Sequence, residues 1–206
     1  VFLCLPDAAS RESVALLAPG NTRTRFLDAS TAHRTHPDWV YGLPELHGQR
    51  TRIRASQRIA VPGCHATGFI LNIAPLVAGG LVPADYPFSV FSLSGYSGAG
   101  KEMIAQYETP AGLPDAMKSP RLYALGLAHK HLPEMTALCG LAHTPLFTPV
   151  IANVAQGMLV SVPLLPRLLP GKPGPEALHA HLSAYYADET FVKVMPLGSS
   201  EGLDAG

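Results

Sequence analysis

Three observations predict a mixed α/β fold. The chain opens on an apolar run, Val1 to Pro6, that reads as a strand of a parallel sheet, and a helical pattern follows it directly. A strand-to-helix step recurs where Arg58 to Val61 leads through Pro62-Gly63-Cys64 into a long apolar segment. Beyond that point the alternation of strands and helices loosens, so the second half is the more irregular one.

Taken in order, Asp7 to Leu17 has helical spacing, with Ala8, Val14 and Leu17 recurring around Arg11 and Glu12, and Pro19-Gly20 stops it. Phe26-Leu27-Asp28 reads as a second short strand. The polar, turn-rich Ala29 to Gly48 is a long loop carrying Trp39 and Tyr41, and loops of that length are commonly functional. Arg50, Arg52 and Arg54 alternate with Thr51, Ile53 and Ala55, which predicts an edge strand with its guanidiniums in solvent. From Ala66 an apolar run reaches Gly79-Gly80 and predicts a helix kinked or divided by Pro75. Phe88 to Ser94 reads as a strand that enters the glycine-rich Gly95 to Lys101, and Glu102 to Tyr107 turns helical after it. Leu122 to Leu132 is moderately apolar and carries His129 and His131, whose spacing puts both on one face of a strand. Thr148 to Leu165 is one β-prone stretch around Met158 to Val162. Pro175 opens an amphipathic helix with Ala177, Leu178, His181, Leu182 and Tyr185 on one stripe. Phe191 to Met195 is a last apolar segment before the small-residue tail Gly198 to Gly206, and no internal repeat is visible.

Composition narrows the function. Across 206 residues, 15 basic side chains balance 15 acidic ones, so no global field attracts nucleic acid or anionic lipid. No apolar stretch approaches the roughly 20 residues of a membrane span, since Phe69 to Val82 is interrupted by Asn72, Pro75 and paired glycines. Three scattered cysteines are not a disulfide framework, and the expected setting is intracellular, reduced and cytoplasmic. A strand at the first residue and a tail without a closing element lead us to expect a fragment of a longer chain.

Cys64 is the first candidate for chemistry. A strand ends before it, Gly63 permits a tight turn, and a helix starts beside it, so unpaired N–H groups and the helix dipole favour the thiolate. Cys4 and Cys139 read as buried filler. A nucleophilic thiol needs a base, and His129 and His131, beside Lys130 and Glu134, are the densest polar cluster. A metal site built from them with Cys139 and His143 matches no zinc spacing, and no metal is expected. Gly95 to Lys101 satisfies G-x-x-x-x-G-K, but Glu102 stands where a P-loop needs Ser or Thr; a loop that cradles phosphate or cofactor through backbone N–H groups is the better reading. Asp28 to Arg34 follows a strand end, where Ser30 and Arg34 either hold an anion or form an ordinary capped loop. Cys64 with a histidine is equally consistent with a thiol acyltransferase or hydrolase that uses no redox cofactor, and Gly95 to Lys101 with a P-loop-like nucleotide-binding module.

Five ordered segments carry a resemblance: Asp28 to Arg34, Trp39 to Glu45, Val61 to Gly68, Ser94 to Lys101, and His129 to Glu134, with Gln156-Gly157 later in the chain. Together they resemble the shorter, type 2 form of N-acetyl-gamma-glutamyl-phosphate reductase. The resemblance implies a Rossmann-type NAD(P)-binding remnant over residues 1–60. It also implies an α+β catalytic and dimerisation domain of the semialdehyde dehydrogenase type over 61–206. It implies reduction of N-acetylglutamyl phosphate with NADPH in arginine biosynthesis, through a thioester on Cys64, with His131 as acid/base and His129 as its rival. Leu5, Pro6, Ser94, Gly95, Ser97, Gly98 and Gly100 would face the cofactor, Ser30, Arg34 and Glu134 the acyl-phosphate substrate, and the enzyme would self-associate. The G-x-G-x-x-G fingerprint and the C-terminal Asn-Leu-Gly-Lys-Gly-Ala-type segment of that family are missing, so both are expected beyond this chain's ends, and NADPH binding and activity of the piece alone are expected to be weak or nil.

Overall fold

The computed structural model describes residues 1–17, 20–199 and 202. The Pro19 helix stop and most of the tail after 199 lie outside the described residues. Four short strands form a wholly parallel sheet in the order β1-β2-β4-β3: β1 (Phe2–Leu3), β2 (Phe26–Asp28), β3 (Val40–Tyr41) and β4 (Arg58–Ala60). Helix α1 (Asp7–Ala15) joins the first two strands, and Leu3, Phe26, Trp39 and Ala60 form the core of this half. Within these residues β1 pairs with β2, and Phe2 is mostly exposed.

A second sheet, ordered β6-β7-β5-β8, is mixed. β5 (Ser89–Gly95) pairs parallel with β7 (Leu146–Ala152) and antiparallel with β8 (Met158–Ser161), and β6 (Arg121–Leu122) runs antiparallel to β7. The β-prone stretch from Thr148 is therefore two strands that flank β5, separated by a turn at 153–157. Phe191 to Met195 forms no strand, and Phe191 is exposed.

Helix α3 (Cys64–Ala78) spans the main core. Ala66, Phe69, Ile70, Ile73 and Leu76 recur at helical spacing and are buried against Phe88, Val90, Met135 and Phe147. Burying each large side chain contributes roughly 1.5–3 kcal/mol, which fixes the helix and the residues at its front end. Pro75 neither ends nor divides it. The missing N–H leaves the Leu71 carbonyl without its helical donor. The Tyr186 hydroxyl, just beyond α7 (Pro175–Tyr185), donates to that oxygen at 2.6 Å, and the Pro75 carbonyl accepts from Gly79 N and His181 Nε2.

The arginine triplet lies in a helix, α2 (Gln49–Ala55), and not in an edge strand. Its period-two pattern offers only Ile53 as an apolar side chain for a sheet to bury, whereas Arg and Gln are good helix formers. Gly48 turns the chain at φ 72, and the buried Gln49 side chain donates to the Tyr41 carbonyl at 2.7 Å, which pins the first turn. Tyr186→Phe should lower the unfolding free energy by about 1 kcal/mol, because the part-buried Leu71 carbonyl then loses the donor that Tyr186 supplies; urea denaturation measures it.

Candidate active site

Cys64 is the first residue of α3. Gly63 caps that helix in an extended conformation, and the first intrahelical bond runs from Thr67 N to the Gly63 carbonyl. The cysteine thus stands at the positive end of a fifteen-residue helix whose first turn carries no acid, and it is exposed. It opens into a cavity of about 700 Å³.

The turn before the cysteine is held from behind by one carboxylate. Glu134, in α6 (Leu132–Leu138), is 1% exposed and accepts three hydrogen bonds: from Gly63 N at 2.9 Å, Tyr41 Oη at 2.7 Å and Arg34 Nη1 at 2.8 Å. Arg34 also donates to the carbonyls of Val61 and Ala29, so one ion pair ties the Asp28–Arg34 loop to the turn before Cys64. Space at Gly63 is exhausted: a Cβ there would lie 2.5 Å from His131 ring atoms and 2.6 Å from Arg34 Nη1. Burial and the neighbouring Glu134 charge push the Tyr41 phenol well above its ordinary range, so it remains a donor.

Three imidazoles surround the thiol. One ring nitrogen each of His65 and His131 lies within 4.8 Å of Cys64 Sγ, and of the other. His65 bonds Ser92 Oγ through Nδ1 at 2.7 Å and Tyr123 Oη through Nε2 at 2.8 Å. His129 crosses His131 edge-on at 4.8 Å and accepts the His131 backbone N–H on Nδ1. Burial, reinforced by the other histidines and Lys130, pushes His65 down to about 4 and His131 to about 2; His129 shifts the same way for the same reason. All three rings are neutral at pH 7, and His131 Nδ1 is buried without a partner. Burial and the nearby Cys64 charge lift Tyr123 to about 12, so its hydroxyl stays protonated. This trio of Cys64, His65 and His131 has the atom types of a metal site, though both nitrogens of His65 already have partners.

The Gly95–Lys101 loop passes along the same cavity. Ser94, Gly98 and Ala99 line it, while Lys101 is exposed at the start of α4 (Lys101–Tyr107). The N–H groups of Gly95, Tyr96 and Ser97 donate to the carbonyls of Gly157, Val154 and Ala155. The first half of the loop therefore has no free backbone N–H with which to cradle a phosphate.

The expected residues divide accordingly. Cys64, His131, His129, Arg34, Ser94 and Gly98 come together on one cavity. Gly95, Ser97 and Gly100 belong to the loop beside it. Glu134 sits behind the wall, and Ser30, buried, gives its hydroxyl to Asp28 at 2.8 Å. Leu5 and Pro6 precede α1 and do not line the cavity; Pro6 O accepts Ser10 N. His129 and His131 are not on a strand: they end a loop that leads into α6, and the chain is turned there by that helix's first residues. Cys139 is core, as expected, with burial pushing its thiol up to about 12, whereas Cys4 is exposed and no filler. Sequence reasoning missed His65, Arg121 and Tyr123, which all line the cavity. His65 beside Cys64 was adjacent to the strongest motif and was its one available signal.

Residues 64–204 match the family model described as semialdehyde dehydrogenase, dimerisation domain. The chain belongs to that family. It is 48% identical over 204 residues to a Brucella ovis protein named N-acetyl-gamma-glutamyl-phosphate reductase, and the match covers 98% of this chain and 65% of that one. A Pseudomonas putida protein, N-acetyl-gamma-glutamyl-phosphate reductase 2, is 47% identical over 209 residues with the same coverage. The chain thus spans just under two thirds of the length of these relatives. Among solved structures, aspartate semialdehyde dehydrogenase II from Vibrio cholerae shares the fold at a TM-score of 0.64 and 16% identity, covering 89% of this chain and 59% of that one. Aspartate semialdehyde dehydrogenase from Francisella tularensis gives 0.56 at 13%, covering 89% and 62%.

Glu134→Gln should cost about 3 kcal/mol in urea unfolding, since it leaves the buried Arg34 guanidinium without its counter-charge. Acid should destabilise the fold through the imidazoles. Between about pH 6.5 and 4 the unfolded chain binds a proton at His65 that the folded chain refuses, so stability falls as pH drops through that window. The loss from His65 is on the order of 3 kcal/mol by pH 4, and a His65→Asn variant should show a correspondingly shallower pH dependence of its urea midpoint.

Proposed function

We propose that this chain carries the catalytic half of a reductase that converts N-acetyl-L-glutamyl 5-phosphate to N-acetyl-L-glutamate 5-semialdehyde and phosphate with NADPH, a step of arginine biosynthesis in the cytoplasm. The observation that carries this reading is the exposed Cys64 thiol at a helix N-terminus with a neutral imidazole within 4.8 Å, inside a cavity large enough for substrate and nicotinamide. The names of the 48%-identical relatives support the substrate.

Neutral His131 takes the thiol proton, and Cys64 Sγ attacks the acyl carbon. The carbon–oxygen bond to phosphate breaks, its electron pair leaves with the phosphate, and a thioester on Cys64 remains. N–H groups of the first turn of α3 stabilise the oxyanion of the tetrahedral species. When bound, NADPH supplies the hydride that reduces the thioester carbon. Cleavage of the carbon–sulfur bond then returns the electron pair to Cys64 and releases the aldehyde. His129 holds the His131 backbone through Nδ1 and is the second proton-handling candidate. Ser94, Gly98 and Ala99 line the cavity on the side where the nicotinamide would lie.

In this reading residues 1–60, with their parallel sheet, are the C-terminal part of a Rossmann-type domain, and 61–206 form the catalytic domain that pairs two copies. Leu5, Pro6, Ser94, Gly95, Ser97, Gly98 and Gly100 flank the cofactor. Ser30 supports the substrate side through the Asp28 loop, and Glu134 positions Arg34 and the Gly63 turn. Cys64→Ser in the full-length enzyme should cut phosphate-dependent NADP reduction by about three orders of magnitude or more. Undiminished turnover refutes the nucleophile, and turnover of acyl phosphate without any NADPH oxidation favours a cofactor-independent acyltransferase or hydrolase instead.

A further inference from the structure

The Cys64 thiol lies among ring nitrogens that the hydrogen-bond network leaves partly unspent. Cys64 Sγ and one nitrogen each of His65 and His131 lie within 4.8 Å of one another, with the thiol exposed and both rings buried. A neutral imidazole has one lone pair to give. That of His131 has no partner among the described residues: Nδ1 is buried and unbonded, and Nε2 stands 4.0 Å from Glu134 Oε1, beyond hydrogen-bonding reach. A buried polar atom left this way costs free energy that an incoming ligand can return.

The other two rings differ. His65 meets a hydroxyl on each nitrogen, Ser92 Oγ at 2.7 Å and Tyr123 Oη at 2.8 Å, so one of the two donates into its lone pair and must give way before the ring binds anything else. Ser92 is fully buried, whereas Tyr123 lines the cavity and is the one that can turn aside. His129 is excluded. Its Nδ1 accepts the His131 backbone N–H at 3.2 Å, so its other nitrogen carries the proton and offers no lone pair.

Charge decides which ligand these atoms accept. Among the described residues the cavity wall carries Arg34, Arg121 and Lys130 and no aspartate or glutamate, and of the three only Arg34 has a carboxylate partner. A hard cation such as Mg²⁺ or Ca²⁺, held by carboxylate oxygens, finds none here and meets like charge. A borderline or soft cation gains a metal–sulfur bond and imidazole nitrogens instead.

We propose that Cys64, His131 and His65 bind Zn²⁺ or a cation of its class, with water as the fourth ligand, and that loading this site blocks the thiol. Cys64 gives its proton to solvent and its sulfur bonds the metal, with no change of oxidation state. Bonds of about 2.3 Å to sulfur and about 2.0–2.1 Å to nitrogen put tetrahedral ligand atoms roughly 3.3–3.6 Å apart. Atoms already within 4.8 Å close by roughly 1.5 Å at most, which rotation of the exposed Cys64 side chain and small shifts of the rings supply. Glu134 beside His131 and Ser92 on His65 are the outer groups that orient the two rings. Metal binding stands apart from the reductase reading; that binding stops turnover rests on it.

The test titrates the full-length enzyme with Co²⁺, followed by absorbance, and then displaces it with Zn²⁺. A sulfur-to-cobalt charge-transfer band and the intense visible bands of four-coordinate cobalt should appear, vanish on adding Zn²⁺ and persist on adding Mg²⁺. Cys64→Ser should abolish the charge-transfer band, and Cys4→Ser should leave it intact. His131→Ala and His65→Asn should each weaken Zn²⁺ binding by about 10- to 100-fold, with circular dichroism showing the fold; His65→Asn decides alone where His131→Ala does not fold. Zn²⁺ should stop phosphate-dependent NADP reduction and a chelator should restore it. A band that survives Cys64→Ser, Zn²⁺ affinity unchanged by the histidine variants, displacement by Mg²⁺, or full turnover with the metal bound overturns the proposal. If the cobalt bands depend on Cys64 but the metal-free enzyme reduces no N-acetylglutamyl phosphate, the metal site stands and the reductase reading falls.

Discussion

The site depends on a buried carboxylate that never touches the cavity. Glu134 joins three stretches far apart in sequence: Arg34 after β2, Tyr41 in β3 and the Gly63 amide before α3. Tyr41 lies in a strand of the parallel sheet, Arg34 and Gly63 follow its strands β2 and β4, and the carboxylate itself comes from a helix packed against α3 in the other half. Removing a carboxylate and a guanidinium from water is expensive, and only full satisfaction of the oxygens makes the arrangement tolerable. Here all the main partners are present, and the result is a turn before Cys64 fixed to both halves of the chain.

On that frame, electrostatics decide what the thiol meets. Packing three imidazoles around Cys64 is possible because none of them carries a proton at neutral pH; burial and mutual repulsion forbid it. The same burial makes each ring a weak base, so a proton on it is favourable only when a negative charge such as a Cys64 thiolate stands beside it. His65 contributes differently from His131, since Ser92 and Tyr123 hold both of its nitrogens and make it part of the wall.

Much of the site was legible because its residues follow local rules. Cys64 at a strand–glycine–helix junction, the histidine pair and the glycine loop each announce themselves within a few residues, and α3 and α7 follow from apolar spacing. What was not legible depended on long-range partners. The arginine alternation mimicked a strand, and only the buried Gln49 side chain and the turn at Gly48 make it a helix. Pro75 reads as a breaker until Tyr186, more than a hundred residues later, supplies the lost donor. Glu134 read as a substrate contact because its burial is set by Tyr41 and Gly63, distant in sequence. Arg121 carries no signal at all, since an isolated arginine in a polar stretch resembles any surface cation.

Helix α3 resembles a rod clamped at both ends. Its front is fastened through the Gly63 amide, while its rear is tied to Tyr186 and His181, which reach the Leu71 and Pro75 carbonyls from the α7 region. The α7 helix supplies no atom to the reaction chamber, yet the pitch of the rod, and with it the aim of the sulfur, is set partly from there. The placement of Cys64 is therefore open to adjustment from the outer back surface, where substitutions can shift the helix without altering a single residue that lines the cavity.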